Sequence, residues 1–321
     1  MPRGDIASLV AEAVAHADVR CGRPPAHPDA AAAAIETRLW AQRVGLHPAA
    51  EGGSVDRTFP TAPVADALHD APLGALRIAS LFAAWLGVLT ERAEASGWEP
   101  AYTASLVGVL RDGYTTGADA LHFALTDLYE RITVLDGAAL LPELADALDR
   151  HAGACRREQE WRAADTVPPL AEFLDNLADR TPLPLYATLH RLDPRLGGPS
   201  GPPAPGVAPL HELAALLSGV DADLAGYRQA VETGRLTLVA VLMREYGYSV
   251  PAAFQSGMVL FGAWKTQLDH GIREIEHLTG VPASTVRQAH AACDWACALH
   301  RRTAALARGD AAAMSAAAAV G

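Results

Sequence analysis

The chain is poor in the residues that announce specialised classes of protein. Four cysteines in 321 residues are too few for a disulfide scaffold, which makes a reducing cytoplasm the expected setting. Lys and Arg number 26 against 37 Asp and Glu, for a net charge of −11. That balance argues against nucleic acid or an anionic membrane surface as a partner. No apolar run approaches the roughly 20 residues that span a bilayer, so no membrane span is expected. The opening stretch, MPRGDIASLVAEAVAHADV, carries acids and an amphipathic pattern, unlike a secretory signal. No window alternates with period two among β-branched residues, so no sheet is expected. A Gly-rich phosphate loop, an HExxH zinc signature, a nucleophile elbow and a CxxC pair are all missing.

What the sequence does contain is helix. Half of its residues are hydrophobic and a fifth are charged, enough apolar material for a sizeable core. Residues 29–44 put Ile35, Leu39 and Trp40 on one side, bounded by Pro28 and Gly45. Residues 73–94 carry Leu76, Leu81, Phe82, Trp85 and Leu89 at helical spacing. Further helices fit 102–111, 118–134, 140–162, 169–179, 184–191, 209–231, 234–246, 250–277 and 283–307. The stretch 192–208, LDPRLGGPSGPPAPGVA, is a Gly/Pro loop that suits either an interdomain linker or a long connection inside one helical domain. The Ala-rich tail 308–321 has little bulk to bury and is expected to be flexible.

Two features invite chemistry. His290, Cys293, Cys297 and His300 fall within roughly 80° of one helix face and are zinc-ligand types. Ten residues of helix extend about 15 Å, however, so one tetrahedral ion does not reach all four, and buried thiols with rim histidines are the simpler expectation. The aromatics Phe82, Trp85, Phe261, Trp264 and Trp295 recur on helical segments. They read either as core packing or as walls of an apolar pocket whose ring faces stabilise cations.

A chain of short motifs then carries a resemblance. His27-Pro28 with AAIETRLWAQRVGL (33–46), ALTDLYER (124–131), VPPLAEFLDNLADRT (167–181), TLVAVLMREYG (237–247) and Asp294-Trp295 through Arg301 stand in the order found in bacterial class I terpene synthases. The most specific of these is TLVAVLMREYG, similar to the NlVlVLMrEhG run that follows that family's second metal motif. The resemblance spans 29–303 and implies one all-α domain over 29–307, a helical bundle around a deep apolar cavity. An N-terminal segment, 1–28, precedes it, and 192–208 becomes an internal loop.

In that family, carboxylates on two facing helices bind a Mg²⁺ cluster that draws off the substrate diphosphate. Here the DDxxD positions align with Thr90, Glu91 and Glu94. Counting back from Leu242-Met243 puts Asp221, Ala225 and Gln229 on the NDxxSxxxE ligand positions. Arg228 matches the basic residue before the final Glu. The diphosphate-sensing Arg falls near Leu177, with Arg180 reached only by one inserted residue. The closing Arg-Tyr pair reads Arg301-Arg302. Both motifs thus lack ligands.

The expectation is therefore an atypical cyclase of specialised metabolism that folds a hydrophobic polyene or isoprenoid-type substrate without Mg²⁺-dependent ionisation. Asp221, Glu91 and Glu94 are its candidate catalytic groups. Phe82, Trp85, Trp295, Arg228 and Arg301 are its candidate substrate contacts. Phe82, Trp85 and Trp295 are expected beside one apolar pocket, with Glu91, Glu94, Asp221 and Arg228 at its mouth. No metal site and no cofactor are expected. The expected partner is a hydrophobic small molecule, with a homodimer left open. Two alternatives stand beside this reading: a Mg²⁺-dependent synthase with a degenerate site, and a non-catalytic hydrophobic-ligand binder or scaffold.

Overall fold

The computed structural model describes residues 3–18, 21, 26–46, 61–114, 117, 119–199, 204 and 206–308. Among them lie fourteen α-helices, two short 3₁₀ turns and no strand. The helices are α1 (Arg3–Asp18), α2 (Ala30–Arg43), α3 (Thr61–Ala67), α4 (Leu73–Ser96), α5 (Pro100–Asp112), α6 (Ala120–Val134) and α7 (Leu141–Ala163). They continue as α8 (Leu170–Arg180), α9 (Leu183–His190), α10 (Ala208–Ala225), α11 (Tyr227–Thr233), α12 (Leu238–Tyr246), α13 (Val250–His277) and α14 (Ala283–Ala307). The sequence-predicted tail lies outside the described residues from 309 onward, as do 200–203 and 205 of the Gly/Pro loop.

Local chemistry sets several boundaries. Asp119 caps α6 by accepting the His122 N–H. Thr237 caps α12 through the Ala240 N–H, and Ser249 caps α13 through the Ala252 N–H. Gly247 ends α12 in the left-handed region at φ 68°, a conformation that favours glycine.

Two helices organise the bundle. α4 is apolar on every side and packs against α2, α3, α6 and α9. It is long and apolar enough to cross a membrane, which corrects the expectation that no segment qualifies. Two-thirds of that apolar stretch is covered by neighbouring helices, as in a core helix, whereas a bilayer span would turn its apolar sides to lipid. α10 packs against α1, α8, α9, α12, α13 and α14. One contiguous core runs from Ala13 to Leu299 and draws on both sides of the Gly/Pro loop. α1 belongs to this packing, since Ala13 and Ala17 are buried against the rest.

Two of the quoted motif segments meet in space. The Glu245 carboxylate of LMREYG accepts the Leu170 N–H at 2.5 Å, which satisfies one of the orphan donors at the start of α8. Asp127 and Arg131 of ALTDLYER also work as a brace. Asp127 accepts the Trp40 indole N–H at 2.7 Å and the Arg131 Nε at 2.5 Å, tying α2 to α6.

Candidate functional site

The C-terminal end of α4 carries Glu91 and Glu94. At about 100° per residue, Ser80, Gly87, Glu91 and Glu94 share one stripe of that helix. Ser80 is fully buried with no hydrogen-bond partner for its hydroxyl, whereas Gly87, Thr90 and Glu91 are half-exposed and Glu94 is exposed. The stripe thus runs from an apolar interior to an acidic, water-reached end. Thr90 gives its hydroxyl to the Leu86 carbonyl at 2.8 Å, so its oxygen serves the helix.

Facing this end is Arg180, the last residue of α8. Its guanidinium donates to Glu158 of α7 at 2.8 Å and to Asp223 of α10 at 2.6 Å. Asp223 is completely buried. It also accepts the Leu238 N–H at 2.9 Å and lies 3.7 Å from Arg235. Burial works against a charged Arg180, yet Asp223 and Glu158 together push its pKa up, so it is a permanent cation. Desolvation raises the Glu94 carboxyl; Arg235 and Arg162 oppose the shift, and Glu158 and Glu91 add to it. Cys155 stands in the same field. Burial pushes its thiol up to about 12, with Arg180 lowering it and Glu158 and Glu94 raising it further. Four acids and three arginines, on or beside five helices, therefore form one polar cluster closing this end of the bundle.

The structure places Glu91 and Glu94 together at this end of α4 and puts Asp221 elsewhere. Asp221 is buried at 4% exposure and turned away, with its Oδ1 2.9 Å from Nδ1 of His300. Two residues along a helix are roughly 200° apart, so Asp223 faces Arg180 where Asp221 does not. The counting failed because α10 stops at Ala225 and restarts after Gly226 as the short α11, which breaks the i, i+4, i+8 stripe. Arg228 pairs with Glu232 at 3.6 Å on an exposed face, remote from Asp221's partner set. Arg301 donates to Asp66 of α3 at 2.8 Å. Leu177 is core, and a Cβ on Gly219 would come within 2.6 Å of it. Arg180, the residue that needed the inserted position, is the arginine that stands in this cluster. Glu158 and Arg235 had no signal in the motif reading.

The expected aromatic pocket is also corrected. Phe82, Trp85 and Trp295 have no accessible surface, so none of them lines a cavity that water enters. Phe82 and Trp85 pack on each other at 5.2 Å, and the Trp85 N–H donates to the Leu121 carbonyl at 2.9 Å. Trp295 stacks on Tyr186 at 4.8 Å and donates to His190 Nδ1 at 3.2 Å. Burial depresses the His190 pKa to about 4, which keeps that imidazole neutral and able to accept.

Acidic side chains of α7 and α10 are engaged with basic partners. Among the described residues no group of three or more His, Cys, Asp or Glu is arranged to hold a metal ion. Arg180 engages Glu158 and Asp223, and His300 engages Asp221. The zinc-like quartet on α14 is likewise divided, since His290 pairs with Glu276 at 2.8 Å while Cys293 and Cys297 lie 4.0 Å apart.

The profile of terpene synthase family 2, C-terminal metal binding, matches residues 102–261. No curated protein matches the sequence. The fold is similar to that of hedycaryol synthase in complex with HEPES, with TM-score 0.70 and 16% identity over 91% of this chain and 97% of that one. It is similar to linalool/nerolidol synthase from Streptomyces clavuligerus in complex with 2-fluorogeranyl diphosphate, with TM-score 0.73 and 16% identity over 88% and 97%. A cucumene synthase variant gives TM-score 0.67 and 17% identity over 88% and 98%. At these identities the structures show a shared fold, and the profile match carries the family. An all-α bundle closed at one end by acids and arginines, with the family's profile running through half of its length, places the chain in the class I terpene synthase family.

Proposed function

We propose that this protein is a cyclase of specialised metabolism that folds a hydrophobic polyene or isoprenoid-type substrate and starts its reaction without metal-dependent loss of diphosphate. The observation that carries this reading is Arg180 held between Glu158 and Asp223. A guanidinium occupies the ground between carboxylates that a cation cluster would otherwise share. A Mg²⁺ ion needs several free oxygens near ideal octahedral geometry, and here those oxygens are committed to an arginine.

Initiation is assigned to Glu94. Desolvation and the neighbouring acids raise its pKa, and it stands where the water-reached end of α4 meets the apolar stripe leading inward. A protonated carboxyl there delivers a proton to a substrate double bond, which leaves a carbocation and the Glu94 carboxylate. Arg235 and Arg162 face that carboxylate and stabilise it once formed. Cyclisation follows within the bound fold of the chain, and loss of a proton from the cyclic cation restores a neutral product. Productive folding by the apolar walls supplies the orientation. No cofactor enters this scheme.

The test is incubation with geranyl, farnesyl and geranylgeranyl diphosphates and with the corresponding alcohols, with Mg²⁺ or with EDTA, and product analysis by gas chromatography with mass detection. Cyclic product that persists in EDTA and disappears in Glu94→Gln supports the proposal. Product formed only with Mg²⁺ overturns it in favour of an ordinary synthase. Absence of product under every condition, with retained binding of the alcohols, overturns it in favour of a hydrophobic-ligand binder.

A further inference from the structure

Beside Arg92, on another face of the same end of α4, three residues stand in line. Ser105 on α5 has its Oγ 2.7 Å from Nε2 of His122 on α6. Nδ1 of His122 is 2.7 Å from Oδ1 of Asp119. Asp119 accepts in addition from the His122 backbone N–H at 3.1 Å, the Tyr102 hydroxyl at 2.8 Å and the Arg92 guanidinium at 2.6 Å. Partial burial raises the Asp119 carboxyl, but the hydrogen bonds from His122, Tyr102 and Arg92 outweigh it and hold the pKa far below the usual carboxylate range. An ionised Asp119 is acceptor-only, so Nδ1 of His122 carries a proton toward it and Nε2 is the ring nitrogen turned to the Ser105 hydroxyl.

The imidazole is fixed in this pose. The Tyr102 ring meets it edge-on at 5.1 Å. Gly117 packs so closely against it that a Cβ there would fall 2.4 Å from the ring. His122 itself is 2% exposed, whereas Ser105 is half-exposed. The base is shielded and the hydroxyl is reachable, which is the division of labour a serine nucleophile needs.

We propose that Ser105, His122 and Asp119 form a nucleophilic triad that accepts the acyl group of small, activated carboxylic esters. Oγ bonds to the carbonyl carbon as its proton passes to Nε2 of His122. The ester C–O bond breaks, and the leaving alkoxide or phenoxide takes the proton from Nε2. Water then attacks the acyl-serine through the same base and releases the carboxylic acid, so that ester and water become acid and alcohol. Asp119 is a positioning residue, holding the tautomer without touching the substrate.

Two features limit the rate. The Ser105 hydroxyl is shared with the Tyr102 carbonyl at 2.7 Å. Ser105 also lies within α5, whose N–H groups are engaged in the helix, so α5 offers no backbone pair to a tetrahedral oxyanion. The triad is therefore assigned only the general-base share of acceleration, roughly 10²–10⁴-fold. That suits aryl esters and organophosphorus fluorides and leaves amides untouched.

The experiment uses the full chain with diisopropyl fluorophosphate, followed by peptide mass spectrometry, and with 4-nitrophenyl acetate to follow acyl transfer. A single adduct on Ser105 is expected. It should be absent in Ser105→Ala and slowed roughly 10²–10⁴-fold in His122→Gln. Asp119→Asn retains a capping side chain but gives up the charge that Arg92 and His122 hold, so it should melt somewhat below the parent while staying folded and flattening the pH profile of labelling. No adduct on the parent, an adduct elsewhere, or equal labelling in His122→Gln overturns the triad. Cyclase assays on Ser105→Ala keep the two proposals separate, because Ser105 has no part in the chemistry assigned to Glu94.

Discussion

Arg180→Leu is the perturbation that most directly weighs what the acidic end does. The substitution removes the guanidinium from between Glu158 and Asp223, at 2.8 and 2.6 Å, and leaves Asp223 with no exposed surface. Breaking a buried ion pair by deleting one partner costs about 3–5 kcal/mol, because the surviving charge stays desolvated. Arg235 remains 3.7 Å from Asp223, and the Leu238 N–H still donates to it, so the lower end, about 3 kcal/mol, is expected. Unfolding entropy near 2.1 cal/mol/K per residue over 321 residues gives about 0.7 kcal/mol/K. The melting temperature should then fall by roughly 4–5 °C.

The partner substitution separates charge from packing. Asp223→Asn keeps an acceptor for Leu238 and removes the negative charge, so the double variant Arg180→Leu with Asp223→Asn should recover much of the loss. A double-mutant cycle by calorimetry reads that coupling directly. If Arg180→Leu melts within about 1 °C of the parent, the arginine is not a structural replacement for cations. A defect confined to substrate KM would point the same way, since it would show a guanidinium available to a diphosphate.

Two further predictions follow from the same helices. His300 sits between Asp221 and Asp18, 2.9 Å from each; burial lowers its pKa, but the two carboxylates raise it further, for a net upward shift. A raised folded-state value gives stability that is complete below the unfolded value near 6.5 and fades as pH rises through the folded value. Melting temperature should thus fall between pH 6 and 9 by more in the parent than in His300→Gln, and equal slopes would remove the ion pair from the account. Gly219→Ala places a Cβ 2.6 Å from the Leu177 side chain in the core, an overpacking expected to destabilise by about 1–3 kcal/mol in thermal or urea melts.

The fold was legible because helical periodicity is a local signal. The apolar spacing of 73–94 returns as α4, and Pro251 and Gly247 punctuate α13 and α12 where the sequence turns. The acidic end was only half legible. Glu91 and Glu94 lie on one continuous helix, so their shared face follows from counting along it. Asp221 failed because Gly226 interrupts α10 and α11, and a two-residue error on a helix reverses the face. Glu158 and Arg235 come to Arg180 and Asp223 from distant parts of the chain, and no spacing rule reports such a meeting. The aromatics misled for a different reason. A ring at a core position reads identically whether it walls a cavity or fills one, and here Phe82, Trp85 and Trp295 fill.

The two aspartates of α10 explain how that helix is fixed in rotation among its neighbours. Asp221 points toward α14, where His300 meets it and in turn reaches Asp18 of α1; Asp223 points toward α8, where Arg180 meets it. Each buried charge is answered by a side chain from a different neighbour, so α10 is held in rotation from both sides at once. Rotating it by one residue would strand both carboxylates in the core, at several kcal/mol each. Apolar packing fixes how close α10 lies to its neighbours, and these two pairs fix which face each neighbour sees. An arginine that supplies such a constraint is hard to release for binding a diphosphate. The role proposed for Glu94 asks less of the packing, since its carboxyl forms no salt bridge among the described residues and its pKa is raised, desolvation being the largest cause.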